Sequence, residues 1–244
     1  RQSWFGCACC PPNIARLYAS LGAYVASTAA DRIALHLYAA GEIEAPVGDG
    51  VVRLALKTDY PWDGEVAIAV TPDRPRRFTL ALRLPGWCAR PVVRINGRRQ
   101  PLARIARAGY AYLEREWRAG DRVDLSLPMA VERVEAHPSV RQAAGQVALR
   151  RGPVVYCLEA CDNGPDLADL ALPRRAPLVA RRSPILGGCV VIKGRATRRS
   201  RDGWKDSLYR TARAPRVPAA FQAVPYCLWN NRAEGEMRVW LREC

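Results

Sequence analysis

The sequence predicts a mainly β protein in which one helix precedes two β-sandwich, jelly-roll-like units. Three observations predict it. Helical apolar spacing is confined to the first part of the chain, before Arg32. From Arg32 onward the apolar period falls from 3.6 to 2. Turn signals then recur about every 8–12 residues, the spacing of antiparallel sandwiches rather than of a parallel sheet.

The helix follows the cysteines of "CACCPPNIARL". Pro11 and Pro12 suit a first helical turn, where a missing N–H costs little. Ile14, Leu17, Tyr18, Leu21 and Val25 recur at helical spacing, and "STAAD" (27–31) is read as the end of the helix. Beyond it, Val52, Leu54 and Leu56 alternate with polar or small residues, as do Phe78, Leu80, Leu82 and Leu84, and then Val123, Leu125 and Leu127. These are half-buried strands. Asn96-Gly97 between "VVRI" and "RRQPL" signals a two-residue hairpin, and "RAGD" (118–121) separates two further strands. A second β block holds "QVALRRGPVVYCLE" (146–159), "CVVIKGRA" (189–196), "FQAVPYCLW" (221–229) and "MRVWLRE" (237–243). The Pro- and Arg-rich stretches 162–184 and 198–218 read as linkers, and the two blocks divide near 134–145.

The net charge is +15, yet Lys57, Lys193 and Lys205 are the only lysines among 38 basic residues. Arg53, Arg83, Arg94 and Arg238 fall at the alternating polar positions of strand-like segments, as solvated sheet faces require. "RPRR" (74–77) and "RATRRSR" (195–201) lie in loop-like places. This pattern argues against a phosphate-tracking groove, and nucleic acid is not expected as a partner. No apolar run approaches the roughly 20 residues of a membrane span, so no membrane partner is expected either. The chain opens on an Arg within what reads as structured sequence, which suggests a fragment or a processed product.

Nine cysteines are an odd and high number, a secreted disulfide scaffold would be short and evenly paired, and a reducing compartment, the cytoplasm, fits this chain best. Cys88, Cys157, Cys189 and Cys227 sit in apolar strands, where a free thiol packs as a small hydrophobe. Cys7, Cys9 and Cys10 are different. They crowd the mouth of a helix, where the helix dipole favours anions and so the thiolate, the form that binds metals and attacks electrophilic carbon. Metal binding and nucleophilic catalysis both follow from that chemistry. As a metal site the cluster is half complete, because a tetrahedral zinc takes four ligands. The two histidines do not complete it: His36 reads as packed in "ALHLY" and His137 as a loop residue. Glu159 and Cys161, two positions apart, form a tempting ligand pair, but their place is a strand terminus.

Four stretches together resemble glycoside hydrolase family 127, the β-L-arabinofuranosidases and their relatives. They are "CACCPPNIARL" (7–17), "LPGWC" (84–88) with "VRINGR" (93–98), "QVALRRGPVVYCLEACDN" (146–163) and "VPYCLWNNRAEGEMRVWLRE" (224–243). The resemblance covers essentially the whole chain and implies the C-terminal portion of such an enzyme. Residues 1–31 would be the last piece of an N-terminal α/α six-hairpin barrel, with β-sandwiches at 32–139 and 140–244.

The resemblance further implies that Cys9 is a nucleophile and a Zn2+ ligand and that Cys10 is a second Zn2+ ligand. The remaining ligands, from a Glu-x-Cys pair, and the general acid/base would lie upstream of Arg1. It implies an L-arabinofuranoside-type oligosaccharide or glycoconjugate as substrate, is compatible with a homodimer, and makes the isolated chain inactive. A non-catalytic carbohydrate-binding or structural β-sandwich protein is the alternative, with Trp62, Trp87 and Trp229 as sugar-stacking candidates.

Overall fold

The computed structural model describes residues 6–204 and 207–244. Helix α1 spans Cys10–Ser20 and a 3-10 turn continues it over Leu21–Tyr24. The helix ends earlier than the apolar spacing suggests. Ala26–Ala29 is already a strand, β1, paired antiparallel to β2 (Arg32–Leu35) with Ala26 opposite Leu35. Val25 keeps helical spacing with Leu21, yet Gly22 weakens the helix and the pairing to β2 takes the residues that follow.

The strands after β2 are β3 (Gly41–Val47), β4 (Gly50–Thr58), β5 (Glu65–Pro72), β6 (Arg76–Arg83), β7 (Val92–Ile95) and β8 (Arg98–Arg99). A one-turn helix α2 (Leu102–Ile105) precedes β9 (Ala106–Arg107), β10 (Tyr110–Trp117) and β11 (Asp121–Ser126). One sheet runs in the order β1-β2-β6-β10-β9 and a second in the order β3-β4-β5-β11-β7-β8. The pairings are antiparallel apart from β2 beside β6. The alternation read in the sequence is the burial pattern of these strands: Val52, Leu54 and Leu56 point inward from β4, and Val123 and Leu125 from β11. Apolar side chains from both sheets meet in one buried cluster that includes Ile33, Leu54, Ile68, Leu80, Trp117 and Leu125.

Contacts divide the chain into two units between Met129 and Ala130. The second unit contains β12 (Val131–Glu135), β13 (Gln146–Arg151), β14 (Val154–Glu159), the short helix α3 (Ala160–Asn163), β15 (Ala171–Leu172) and β16 (Leu178–Ser183). It continues with β17 (Cys189–Arg199), β18 (Arg216–Pro225), β19 (Met237–Arg238) and β20 (Leu241–Glu243). They form one sheet, in which β17 and β18 pair from Ile192↔Ala223 to Arg199↔Arg216. Its core gathers Leu149, Tyr156, Leu158, Ile192 and Phe221. Residues 162–184 are more ordered than a linker: β16 lies along β17 from Leu178↔Gly194 to Ser183↔Cys189. This strand carries Arg181 and Arg182 and buries no residue fully, so its apolar signal is faint.

Two locks hold the first unit. Trp117 is fully buried, and its indole N–H donates to Phe78 O at 3.0 Å, so a large ring is packed and its polar atom satisfied together. The Asn96-Gly97 turn joins β7 to β8 with φ of 49° and 80°, values that suit a type I′ hairpin. Asn96 Nδ2 also donates to Asp121 at 2.7 Å, Asn96 Oδ1 accepts from Arg122 N at 2.8 Å, and Arg118 N donates to Asp121 at 2.9 Å. Burial pushes the Asp121 carboxyl up, but the Asn96 hydrogen bond, the Arg118 N–H and the Arg115 and Arg118 charges leave it below the ordinary carboxylate value.

Replacing Trp117 by Ala is expected to destabilise the fold by about 3–5 kcal/mol in urea titration, and a loss under ~1 kcal/mol would contradict the packing described. Asp121 contributes stability that is fully present above its unfolded pKa of about 3.9 and is lost as pH falls toward the lowered folded value. Asp121→Asn is therefore expected to flatten the loss of stability as pH falls below about 4. An acid limb as steep as that of the parent would remove Asp121 from this role.

Candidate functional site

Pro11 and Pro12 fix the start of α1, because proline is tolerated in a helix only where its missing N–H has no intrahelical partner to lose. The helix therefore begins at Cys10, with Cys9 as N-cap, φ −70° and ψ −43°. Asn13 Nδ2 donates to Cys9 O at 2.9 Å, and Arg16 donates to Asn13 Oδ1 at 3.1 Å, which fixes the backbone of the N-cap residue. All three thiols are exposed.

Their spacing separates them chemically. Cys9 Sγ lies 3.6 Å from Cys10 Sγ and 3.1 Å from Cys7 Sγ. Both distances exceed the roughly 2.05 Å of a disulfide. Sulfurs bound about 2.3 Å from one tetrahedral zinc stand about 3.8 Å apart, so the Cys9–Cys10 pair fits two ligands of such an ion and the Cys7–Cys9 contact is too close. The donor set is a pair of thiols, which suits zinc. Around it the helix is bare: no α1 residue is buried, and Ile14, Leu17 and Tyr18 are 54%, 56% and 73% exposed.

His36 is held between Ser27 Oγ, 2.8 Å from its Nε2, and the Tyr110 hydroxyl, 2.7 Å from its Nδ1, so both ring nitrogens are engaged. His137 is an exposed loop residue whose Nδ1 accepts from Ser139 N at 3.2 Å. Neither joins the thiols.

A second cluster lies in the other unit. Glu159 ends β14 as a strand terminus, and ligand atoms of Glu159, Cys161 and Asp162 fall within 4.8 Å of one another, close enough to hold a metal ion. Arg232 already fills that role. Its guanidinium stands 2.5 Å from Glu159 Oε2 and 2.5 Å from Asp162 Oδ2, while Asn230 N donates to Glu159 Oε1 at 3.1 Å. The Asp162 hydrogen bond first, then that of Glu159, raises Arg232 above its ordinary range. Burial pushes the neighbouring Cys157 thiol up to about 12, with the Glu159 charge adding to it. Burial likewise raises Cys161 and Cys189, which keeps these thiols protonated. Sequence reasoning missed Arg232, because its carboxylate partners lie about 70 residues earlier and no local pattern joins them. Arg232→Ala is expected to cost about 3–5 kcal/mol, since it strands two largely buried carboxylates. A loss of ~1 kcal/mol, the worth of an exposed pair, would contradict that reading.

Two family models match this chain. Residues 32–129 match the GH127 middle domain of β-L-arabinofuranosidase, and residues 131–242 match the glycoside hydrolase family 127 C-terminal domain. A non-reducing end β-L-arabinofuranosidase of Bifidobacterium longum subsp. longum is 37% identical over 258 residues, covering 99% of this chain and 38% of that protein. The crystal structure of a GH127 β-L-arabinofuranosidase from Geobacillus stearothermophilus T6 superposes with a TM-score of 0.96 at 49% identity, over 100% of this chain and 39% of that one. A further solved GH127 β-arabinofuranosidase gives a TM-score of 0.90 at 30% identity, over 100% of this chain and 40% of its own length. The chain thus spans about two fifths of the length of these relatives. With both units matched and the fold shared throughout, the chain belongs to glycoside hydrolase family 127.

Proposed function

We propose that this chain supplies the nucleophile of a retaining glycoside hydrolase that releases L-arabinofuranose or a related sugar, and that Cys9 is that nucleophile. The observation that carries the reading is the pair of exposed thiols, 3.6 Å apart at the mouth of α1, in a member of this family. Cys9 and Cys10 would hold Zn2+. When bound, the ion would keep the sulfurs as thiolates and fix their direction.

Cys9 Sγ would attack the anomeric carbon, forming a C–S bond as the bond to the leaving oxygen breaks through an oxocarbenium-like transition state. A carboxylic acid would protonate that oxygen, and water, deprotonated by the same carboxylate, would then displace the sulfur and return the thiolate. The acid/base and the other zinc ligands are expected upstream of Arg1, so residues 1–244 alone are expected to be inactive.

In this reading residues 1–31 belong with the catalytic domain, 32–139 form a β-sandwich unit, and 140–244, expected as a second sandwich, form a β unit built on one sheet. The shared core of the first unit's two sheets supports that description. The bare apolar face of α1, with Ile14, Leu17 and Tyr18, would be covered by the rest of the enzyme.

The test uses the longest protein product that contains this chain. Cys9→Ser is expected to lower kcat by several orders of magnitude, on the scale seen when a nucleophile is removed. Cys10→Ser is expected to reduce bound zinc measured by elemental analysis. Normal turnover in Cys9→Ser, or undiminished zinc in Cys10→Ser, would overturn the respective assignment.

A further inference from the structure

The first unit carries an uncompensated positive region next to a cleft. Between Arg74 and Leu113 the sequence has ten arginines and no Asp or Glu. Arg74, Arg76 and Arg77 find carboxylates outside that run, on Asp49, Asp73 and Glu114. Arg83, Arg90, Arg94, Arg98, Arg99, Arg104 and Arg107 have no acidic partner among the described residues.

The hairpin β7–β8 concentrates the effect, since Arg94 and Arg99 are directly opposed across it, an arrangement of like charges that costs stability. Asp124 is opposite Arg94 on the other side, but its carboxylate is engaged by Arg122 at 2.7 Å. That pair lies on the face of the hairpin opposite to Ile95 and Arg98, and Arg98 is the arginine without an acidic partner that lines the cleft.

The cleft lies between the hairpin and β10. It has a volume of about 580 Å³, within the usual range for small-molecule sites, and its lining includes Ile95, Arg98, Gln100, Ile105 and Tyr112. The other charged groups on its wall are spoken for: Glu114 pairs with Arg77 at 2.9 Å and Arg115 faces Asp121 at 3.6 Å. Three groups remain uncommitted, namely the exposed Arg98 guanidinium, the Tyr112 hydroxyl and the Gln100 amide oxygen, whose amide nitrogen donates to Arg98 O at 2.8 Å. The Arg107 guanidinium lies 4.1 Å above the Tyr112 ring, so the aromatic lip is itself cationic.

We infer that this cleft binds a carboxylated carbohydrate, a uronate unit of an acidic glycan. The Arg98 fork takes the sugar carboxylate, Tyr112 and Gln100 take hydroxyls, and Ile95 and Ile105 face the apolar side of the ring. The choice of a sugar over other anions rests on the glycosidase family reading above. Nucleic acid fits less well. Single strands bind on aromatic platforms, and the aromatic residue here is half-buried Tyr112 with Arg107 over its face.

The probe is polygalacturonate, which contains no arabinose, titrated into the full-length protein. The controls are the same polymer with its carboxyls reduced to alcohols and a single-stranded DNA oligonucleotide. Polygalacturonate is expected to bind at least about tenfold more tightly than the reduced polymer and the DNA. Arg98→Gln is expected to lose about tenfold in affinity, and Arg98→Lys, which keeps the charge without the fork, to recover part of it. Arg181→Gln, an exposed site in the other unit, should change nothing. Because Arg98 is exposed, unchanged thermal melting of its variants would separate lost binding from lost folding. Absence of binding, equal binding of the reduced polymer, tighter binding of DNA, or an indifferent Arg98→Gln would each overturn the inference. A protein that binds polygalacturonate but cleaves no arabinofuranoside would sink the glycosidase reading alone.

Discussion

Two consecutive prolines constrain everything proposed for the thiols. Because Pro11 and Pro12 donate no N–H, the helix start is confined to Cys10, and Cys9 is confined to the cap. The adjacent sulfurs are exposed there, at the positive end of the helix dipole. A reactive sulfur needs access as well as ionisation, and this arrangement supplies access. Cys88, Cys157 and Cys189 show the opposite solution, buried among apolar neighbours and chemically quiet.

The β units serve a different physical end. Strand alternation lets each sheet bury one face, and a single large ring, Trp117, ties β10 to β6 through packing and its bond to Phe78 O. The same corner carries the Asp121–Asn96 lock, which holds the β7–β8 hairpin against β11. These hydrogen bonds hold the turn of a hairpin that also carries the opposed Arg94 and Arg99.

The sequence made part of this legible. Period-2 alternation located β4, β6 and β11, since each buries one face and so writes its geometry in every second residue. Asn96-Gly97 located its hairpin because the turn demands positive φ at both positions. The prolines located the start of α1. Features set by distant partners were hidden. The apolar spacing runs past the end of the helix because Val25 keeps step with Leu21, while pairing with β2 decides the outcome. Strand β16 hid in arginine-rich sequence because its neighbour β17 supplies the order. Glu159 was legible as a strand terminus, whereas its Arg232 partner was not.

The central claim is that Cys9 forms a covalent bond to the sugar. The most direct measurement is peptide mass spectrometry on the full-length protein, quenched during turnover of an activated L-arabinofuranoside. The account predicts a pentosyl adduct on the peptide containing Cys9, carried by that sulfur and absent in Cys9→Ser. An adduct on a carboxylate, or on any other cysteine, would contradict it.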